Sequence, residues 1–406
     1  MHPTDSDRIA VVDMLRAFAL FGIILTHAEM GFLAGPPPAP GFDVFGPIDQ
    51  LADTVIRVLT TGKFFTVFSF LFGLSFAIQI DRAAQKGVPF AGRFTWRLAL
   101  LFAIGFVHNA FFSGDILVIY AVVGLMLLPL QKLGMRSLLI LGVLLLLNVP
   151  SLVVTAVQDN GPPPAAAQIA AREGARQEFM RIGKQQYEIK RTGTLSELVL
   201  MNINGGLKAK ATFQLRTGRV WITLGCFLLG MCAGRANLFR ESERTRRFFK
   251  RLAFWAGIPA ILTTAALLMW PTPITMQTTD LLPVTVFRLQ QVTLSALYLA
   301  AATLLFWYKP HGLLSTSFAQ LGRMGLTTYL MQTLFGILVF YGVGLGLLGR
   351  VGSAACVGIG GVIFVAQLFI SRWWMSRHTM GPVEWLWRSM TDFRLLPITR
   401  QPASAA

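Results

Sequence analysis

Charge is what this chain has least of. Charged residues make up 14% of its 406 positions against 54% hydrophobic ones, and the mean hydropathy is +0.59. A soluble protein of this length cannot clothe its surface with so few charges, so a soluble enzyme and a disordered tail protein are both excluded. Cysteine is nearly as scarce: Cys226, Cys232 and Cys356 all sit inside apolar runs, and they offer neither a disulfide framework nor a zinc spacing. A cleavable leader is also missing. The first apolar run, residues 9–30, is too long for one and is interrupted by Asp13 and Arg16.

Acidic residues are the scarcer sign, 19 against 36 Lys and Arg, for a net charge of +17. Such a balance can signal nucleic acid. Here the basic residues fall in short segments between apolar runs, where the positive-inside rule puts them. The partner they imply is a membrane of lipids, and no nucleic acid.

What the chain has in plenty is apolar stretches close to bilayer length. They predict an all-α polytopic membrane protein of about ten transmembrane helices, near 9–30, 64–80, 97–112, 116–131, 137–157, 219–239, 252–272, 282–307, 324–348 and 351–375. The third and fourth are short. At about 16 residues each they reach about 24 Å, less than a hydrocarbon core of about 30 Å, and they share a turn at Ser113-Gly114-Asp115. Short spans are tolerated where they line a cavity, which makes that turn a place to look for chemistry.

The links 81–97, 131–137 and 240–251 carry most of the clustered Lys and Arg. Ten spans put all three on one side with both termini, and the charge rule makes that side cytoplasmic: N-in and C-in. The chain then divides into an N-terminal transmembrane half (1–157), an extracytoplasmic segment (158–218) and a C-terminal transmembrane half with a cytoplasmic tail (219–406). The middle segment opens on Gly161-Pro162-Pro163-Pro164 and continues charged and helix-prone. It predicts amphipathic helices over the outer face, serving either as a solvated connector or as a lid.

Ionisable residues within spans are expensive, so each is a functional candidate. Asp13 and Arg16 have the i,i+3 spacing of a local ion pair. His27, fourteen residues beyond Asp13, lies about 21 Å further along the helix and is either a packing residue or a site residue. His108 and Asn109 close the third span, and Asp115 opens the fourth. Asp115 can cap that helix, or it can orient His108 as a general base with Tyr120 adding a hydrogen bond. A metal is not expected, because His27, Glu29, His108 and Asp115 show no ligand spacing. Arg288 is close enough to a span end to snorkel. Arg323, in the run leading to Gln332, can hold a phosphate or anchor its helix. The small-residue stretches 230–234 and 342–346 are packing faces, within the chain or across a homodimer. The segment 381–388 is expected to pack on the cytoplasmic face, with Pro382 in the first turn of a short helix and Trp385 and Trp387 at the interface.

Five stretches in order along the chain resemble the YeiB-like family of bacterial inner-membrane proteins, long labelled as of unknown function. They are RIAVVDMLRAFALFGI at 8–23, KFFTVFSFLFG at 63–73, HNAFFSGDILVIY at 108–120, GRMGLTTYLMQ at 322–332 and GPVEWLWR at 381–388. The sequence departs from the family at Ala17, where a glycine is usual, and at His27, where an asparagine is usual. A histidine at the latter position resembles the acyltransferase-three family instead. By fold the family is grouped with the transmembrane acyltransferases. That grouping implies transfer of an acyl group, acetyl foremost, from cytoplasmic acyl-CoA to a hydroxyl or amine of a small-molecule or glycan acceptor at the outer face. On this implication His108 would be the catalytic base and Asp115 its orienting partner. Asp13, His27, Asn109, Tyr120 and Gln332 would contact substrate, and Arg16, Arg97 and Arg323 would hold the phosphates of acetyl-CoA. The competing expectation is a transporter or flippase for a small polar or lipid-linked substrate, which needs the intramembrane charges but no reaction.

Overall fold

The computed structural model describes residues 9–34, 46–159, 166–270 and 281–400. The described residues are almost entirely helical, and their one β feature is an isolated bridge between His378 and Thr399. Six helical runs are long and apolar enough to cross a membrane. They are α1 (Ala10–Glu29); the continuous run Pro47–Gln85, made of α2 (Pro47–Val55), a π-helical turn (Ile56–Thr60) and α3 (Lys63–Gln85); α4 (Ala91–Phe111); α12 (Glu243–Leu268); α13 (Leu281–Tyr308); and α16 (Ser353–Arg377). A seventh arises if α10 (Leu195–Arg216) and α11 (Arg219–Arg235), bent by 72° at their junction, count as one. This is an all-α polytopic membrane protein.

The remaining expected spans correspond to shorter apolar helices: α5 with α6 over Leu117–Leu130, α7 (Met135–Leu146) and α15 (Gly325–Phe340). The fifth expected span is broken at Asn148, whose φ of 57° ends α7 before α8 (Val149–Asp159) begins. The expectation of a short third span is corrected. α4 has 21 residues and starts at Ala91, because its first turns carry Arg93 and Arg97, which depress the local hydropathy without disfavouring helix. Both arginines are held by the C-terminal segment: Arg93 pairs with Asp392 at the surface, and Arg97 stacks 4.3 Å from the Trp387 ring centroid. The Gly161–Pro164 run at the start of the middle segment lies outside the described residues.

Close backbone approach holds the bundle together. A Cβ at Gly73 would strike the Phe227 carbonyl, and one at Gly230 the Phe70 carbonyl, so α3 and α11 touch through their glycines as membrane helices do. The 230–234 face is thus spent within the chain. Gly322 of α14 (Leu313–Arg323) lies as tightly against the Asp13 carbonyl of α1.

At the starts of α15 and α16, which have no capping side chain of their own, distant carboxylates do that work. Glu384 of α17 (Pro382–Thr391) accepts from Leu326 N at 2.6 Å, Thr327 N at 3.1 Å and Thr327 Oγ1 at 2.6 Å. Asp49 accepts from Ala354 N at 2.8 Å at the start of α16. Each supplies the anion and acceptor that helix N-termini lack. The C-terminal segment is therefore docked, with Pro382 in the first turn of α17 and the Trp387 indole donating to the Arg97 carbonyl at 3.0 Å.

The middle segment forms α9 (Ala166–Thr192) and α10. Lys190 of α9 is buried, donating to the Leu33 carbonyl at 2.6 Å and to Ser113 Oγ at 3.3 Å. Asn202 of α10 donates to the Ala110 carbonyl at 3.1 Å. The segment is bonded to the end of α4 and to the Ser113 turn, which a solvated connector would not be.

Two outcomes test these contacts. Glu384→Ala leaves the buried donors of α15 unpaired and should destabilise the protein by about 2–4 kcal/mol, read as a lower Tm and as faster proteolysis of the C-terminal segment. An unchanged Tm and digestion rate would show that the segment is only tethered. Burial pushes the Lys190 ammonium from 10.5 down to about 7. A depressed lysine pKa means the unfolded chain binds the extra proton between those two values. Wild-type stability should therefore rise from pH 7 towards 10 relative to Lys190→Met, and parallel Tm profiles for the two would rule this out.

Candidate functional site

The site grows from the end of α4. His108 is buried on its last turn, and the Ser113-Gly114-Asp115 turn brings the chain back so that His108 Nδ1 lies 2.8 Å from Asp115 Oδ1. Asp115 also caps α5, accepting from Leu117 N at 3.2 Å and Val118 N at 3.0 Å. The cap and the histidine partner, alternatives in the sequence, are one carboxylate serving both. Lys210 of α10 adds a third kind of partner, its Nζ 3.5 Å from Asp115 Oδ2. The far ring nitrogen of His108 meets Thr333 Oγ1 of α15 at 2.9 Å. Both imidazole nitrogens are thus engaged within the chain.

A cavity of about 2210 Å³ runs past this cluster. Its wall includes Asp115, Lys210, Tyr120, Tyr329 and His27, whereas His108, Asn109 and Gln332 stand behind it. His27 makes no side-chain hydrogen bond among the described residues. Its ring lies against aromatic neighbours, 5.4 Å from the Phe112 centroid and 6.0 Å from that of Phe32. Phe112 in turn touches the His108 ring at 5.7 Å, so one phenyl ring contacts both imidazoles. The Tyr120 hydroxyl is held 2.6 Å from Ser69 Oγ, and the Tyr329 hydroxyl accepts from Ile116 N at 3.3 Å.

From there the cavity extends to an arginine-rich end. Arg16 is eleven residues before His27, about 16 Å back along α1. It pairs with Asp13 at 2.6 Å and with Ser75 Oγ at 2.5 Å, as its spacing predicts. Arg82, Arg93, Arg97, Arg323, Arg388 and Arg400 line the same end. Arg323 also donates to the Thr379 carbonyl at 3.2 Å. Beside them Phe76, Phe90 and Phe94 form an aromatic wall with centroids 4.7–5.4 Å apart. The 81–97 link and the C-terminal tail meet at this end.

The sequence candidates fall into three groups. Asp13, Arg16, His27, Arg97, Asp115, Tyr120 and Arg323 share the cavity wall. His108 and Asn109 lie behind it, and Asn109 Oδ1 has no hydrogen-bond partner. Gln332 is also off the wall and ties α15 to the Leu20 carbonyl at 3.3 Å and to Gln367 Oε1 at 3.2 Å. Arg288 does not snorkel: its Nη2 donates to the Thr217 carbonyl at 2.8 Å. Sequence reasoning missed Thr333, Lys210 and Arg219. The last two line the cavity, and nothing but their position on apolar or amphipathic helices could have flagged them.

A family model described as a protein of unknown function (DUF418) matches residues 233–394. The Bacillus subtilis protein printed as uncharacterized protein YxaH is 30% identical over 420 residues, covering 99% of this chain and 98% of its own. The Escherichia coli protein printed as uncharacterized protein YeiB is 26% identical over 398 residues, covering 95% of this chain and 96% of its own. No solved structure matches. The likeness is sustained from end to end, and the chain belongs to the YeiB-like family.

Proposed function

We propose that this protein is a membrane acyltransferase that passes an acyl group, acetyl foremost, from acyl-CoA at the arginine-rich end to a hydroxyl or amine near His27. One observation carries the reading: a single cavity joins a cluster of arginines to an unpartnered imidazole and a buried carboxylate. The arginines supply the fork geometry that phosphates need, and the phenyl wall beside them offers a face for an adenine. The stretch from Arg16 to His27 is of the order of an extended pantetheine arm, so the thioester would reach the imidazole.

In this reading His27 is the general base. It takes the proton of the acceptor as the oxygen or nitrogen attacks the thioester carbonyl. The imidazolium then returns the proton to the departing CoA sulfur. Asp115 faces the same space and holds Lys210 towards it. His108, bonded on both sides, acts as a positioning residue for Asp115 and supersedes in that role its expected part as the base. The arginine-rich end is cytoplasmic, the membrane is the bacterial inner membrane, and the shorter apolar helices complete ten crossings with both termini inside. Transport of the acceptor is the second reading, favoured by the same through-running cavity.

Purified protein incubated with radiolabelled acetyl-CoA and candidate acceptors tests the chemistry. His27→Ala should lower turnover by about 10²–10⁴. Asp115→Asn should lower kcat more than it lowers Tm. Arg323→Ala should raise the apparent KM with little change at saturation, because a remote phosphate contact binds ground and transition states alike. Full turnover in His27→Ala with none in His108→Ala would return the base to His108. A wild type that consumes no acyl-CoA would move transport ahead. For the topology, a membrane-impermeant thiol reagent applied from the cytoplasm should label a cysteine placed at Lys86 or Arg246 and miss one at Gln168. The opposite pattern would invert the membrane.

A further inference from the structure

The junction of α10 and α11 holds a cation that the acyl-transfer scheme does not use. Arg219 is the first residue of α11, just past the 72° bend. Its guanidinium lies 4.1 Å from the Phe65 ring centroid and 5.7 Å from that of Phe213, deep in the molecule and on the cavity wall. It forms no ion pair and donates no hydrogen bond among the described residues, and its Nε is buried without a partner. Gln214, on the same wall, has a buried Oε1 that is equally unpartnered.

The junction is fixed in place. Gly218 adopts φ of 66°, and the Thr217 carbonyl before it takes hydrogen bonds from Asn148 Nδ2 at 3.3 Å and Arg288 Nη2 at 2.8 Å. Arg288 therefore stands close behind Arg219 as a second cation with no carboxylate partner among the described residues. Lys210, one turn before Gln214, is different, because Asp115 compensates it. The region thus carries two positive charges that no carboxylate among the described residues balances, in surroundings where an isolated charge is costly. It is also separate from the donor end. Phe65, under Arg219, and Ser75, bonded to Arg16, are ten residues apart on α3, about 15 Å.

We propose that Arg219 binds a phosphate group of the acceptor, with Gln214 Oε1 accepting a hydroxyl or N–H hydrogen of the same molecule. A phosphate ester carries a charge of about −1.5 to −2 at pH 7, which matches the pair of uncompensated arginines, and its oxygens fit the guanidinium fork. The acceptor is then a phosphorylated compound, soluble or lipid-borne, held by its phosphate opposite His27. The inference rests on the acyl-transfer reading for the word acceptor, while the binding it describes is measurable without turnover.

Calorimetric titration of the full-length protein in detergent, with CoA present to fill the arginine-rich end, tests this. The probes are inorganic phosphate and decyl phosphate, with decanol as the uncharged control. Wild type should bind a phosphate probe at least about tenfold more tightly than Arg219→Gln, the usual worth of a charge-assisted hydrogen bond. Arg181→Ala, on the exposed face of α9 and away from the cavity wall, should bind it like wild type, and decanol should not compete. Binding of decyl phosphate alone assigns a lipid-borne acceptor, whereas binding of both assigns a soluble one; either outcome supports the proposal. Equal affinity in wild type and Arg219→Gln, or no binding of either phosphate to wild type, overturns it. Should Arg219→Gln fail to fold, Arg219→Lys, which keeps the charge and loses the fork, carries the same comparison. Failure of the acyl-transfer reading shows separately, as wild type that binds phosphate but never consumes acetyl-CoA.

Discussion

Asp115 is a carboxylate taken almost wholly out of water, and four groups share the task of keeping it there: the His108 imidazole, the Leu117 and Val118 amides and the Lys210 ammonium. An ion in that position costs several kcal/mol unless its lone pairs are filled. Each partner that fills one belongs to a different piece of the fold. Through His108 the carboxylate fixes the end of α4, through the amides the start of α5, and through Lys210 the middle of α10. His108 passes the tie on to Thr333 in α15. The geometry of the cavity wall is therefore set by one charge balance, and no partner can be removed without leaving another buried and unpaired.

The same economy governs the helix starts. α15 and α16 enter the bundle without local caps, and Glu384 and Asp49 reach them from other segments. The short helix α17 and α2, the helix before the π-helical turn, are thereby bonded to the bundle by their acids. In a chain with only 19 acidic residues, that is a substantial commitment of charge to architecture, and it explains why removing one carboxylate is expected to loosen a whole segment.

Much of this was legible in the sequence, and the limits have physical causes. Apolar length identified an all-α membrane protein, and the i,i+3 spacing of Asp13 and Arg16 identified their ion pair. Proximity in sequence brought His108 and Asp115 together, because a seven-residue separation across a glycine turn leaves few other arrangements. What sequence could not reveal was which side of the cavity wall a residue occupies. His27 and His108 are both span histidines, yet only His27 lines the cavity. Charges carried on helices also misled the span boundaries. Arg93 and Arg97 read as loop residues and are helical, and Lys210, read as part of the middle segment, and Arg219, read as the start of a span, are cavity lining. Hydropathy counts a charge as outside wherever it points.

A cavity reaching from an arginine-rich mouth to the neighbourhood of Glu29 and Asp53 poses a problem of containment. A water-filled path through a low-dielectric slab would leak protons and cations down any gradient the membrane holds. The lining answers this with an excess of its own sign: Arg97, Arg219 and Arg323 face the passage beyond the paired Arg16 and Lys210, and fixed positive charges raise the barrier for protons and metal cations alike. The cations that would draw phosphates in also serve as electrical insulation.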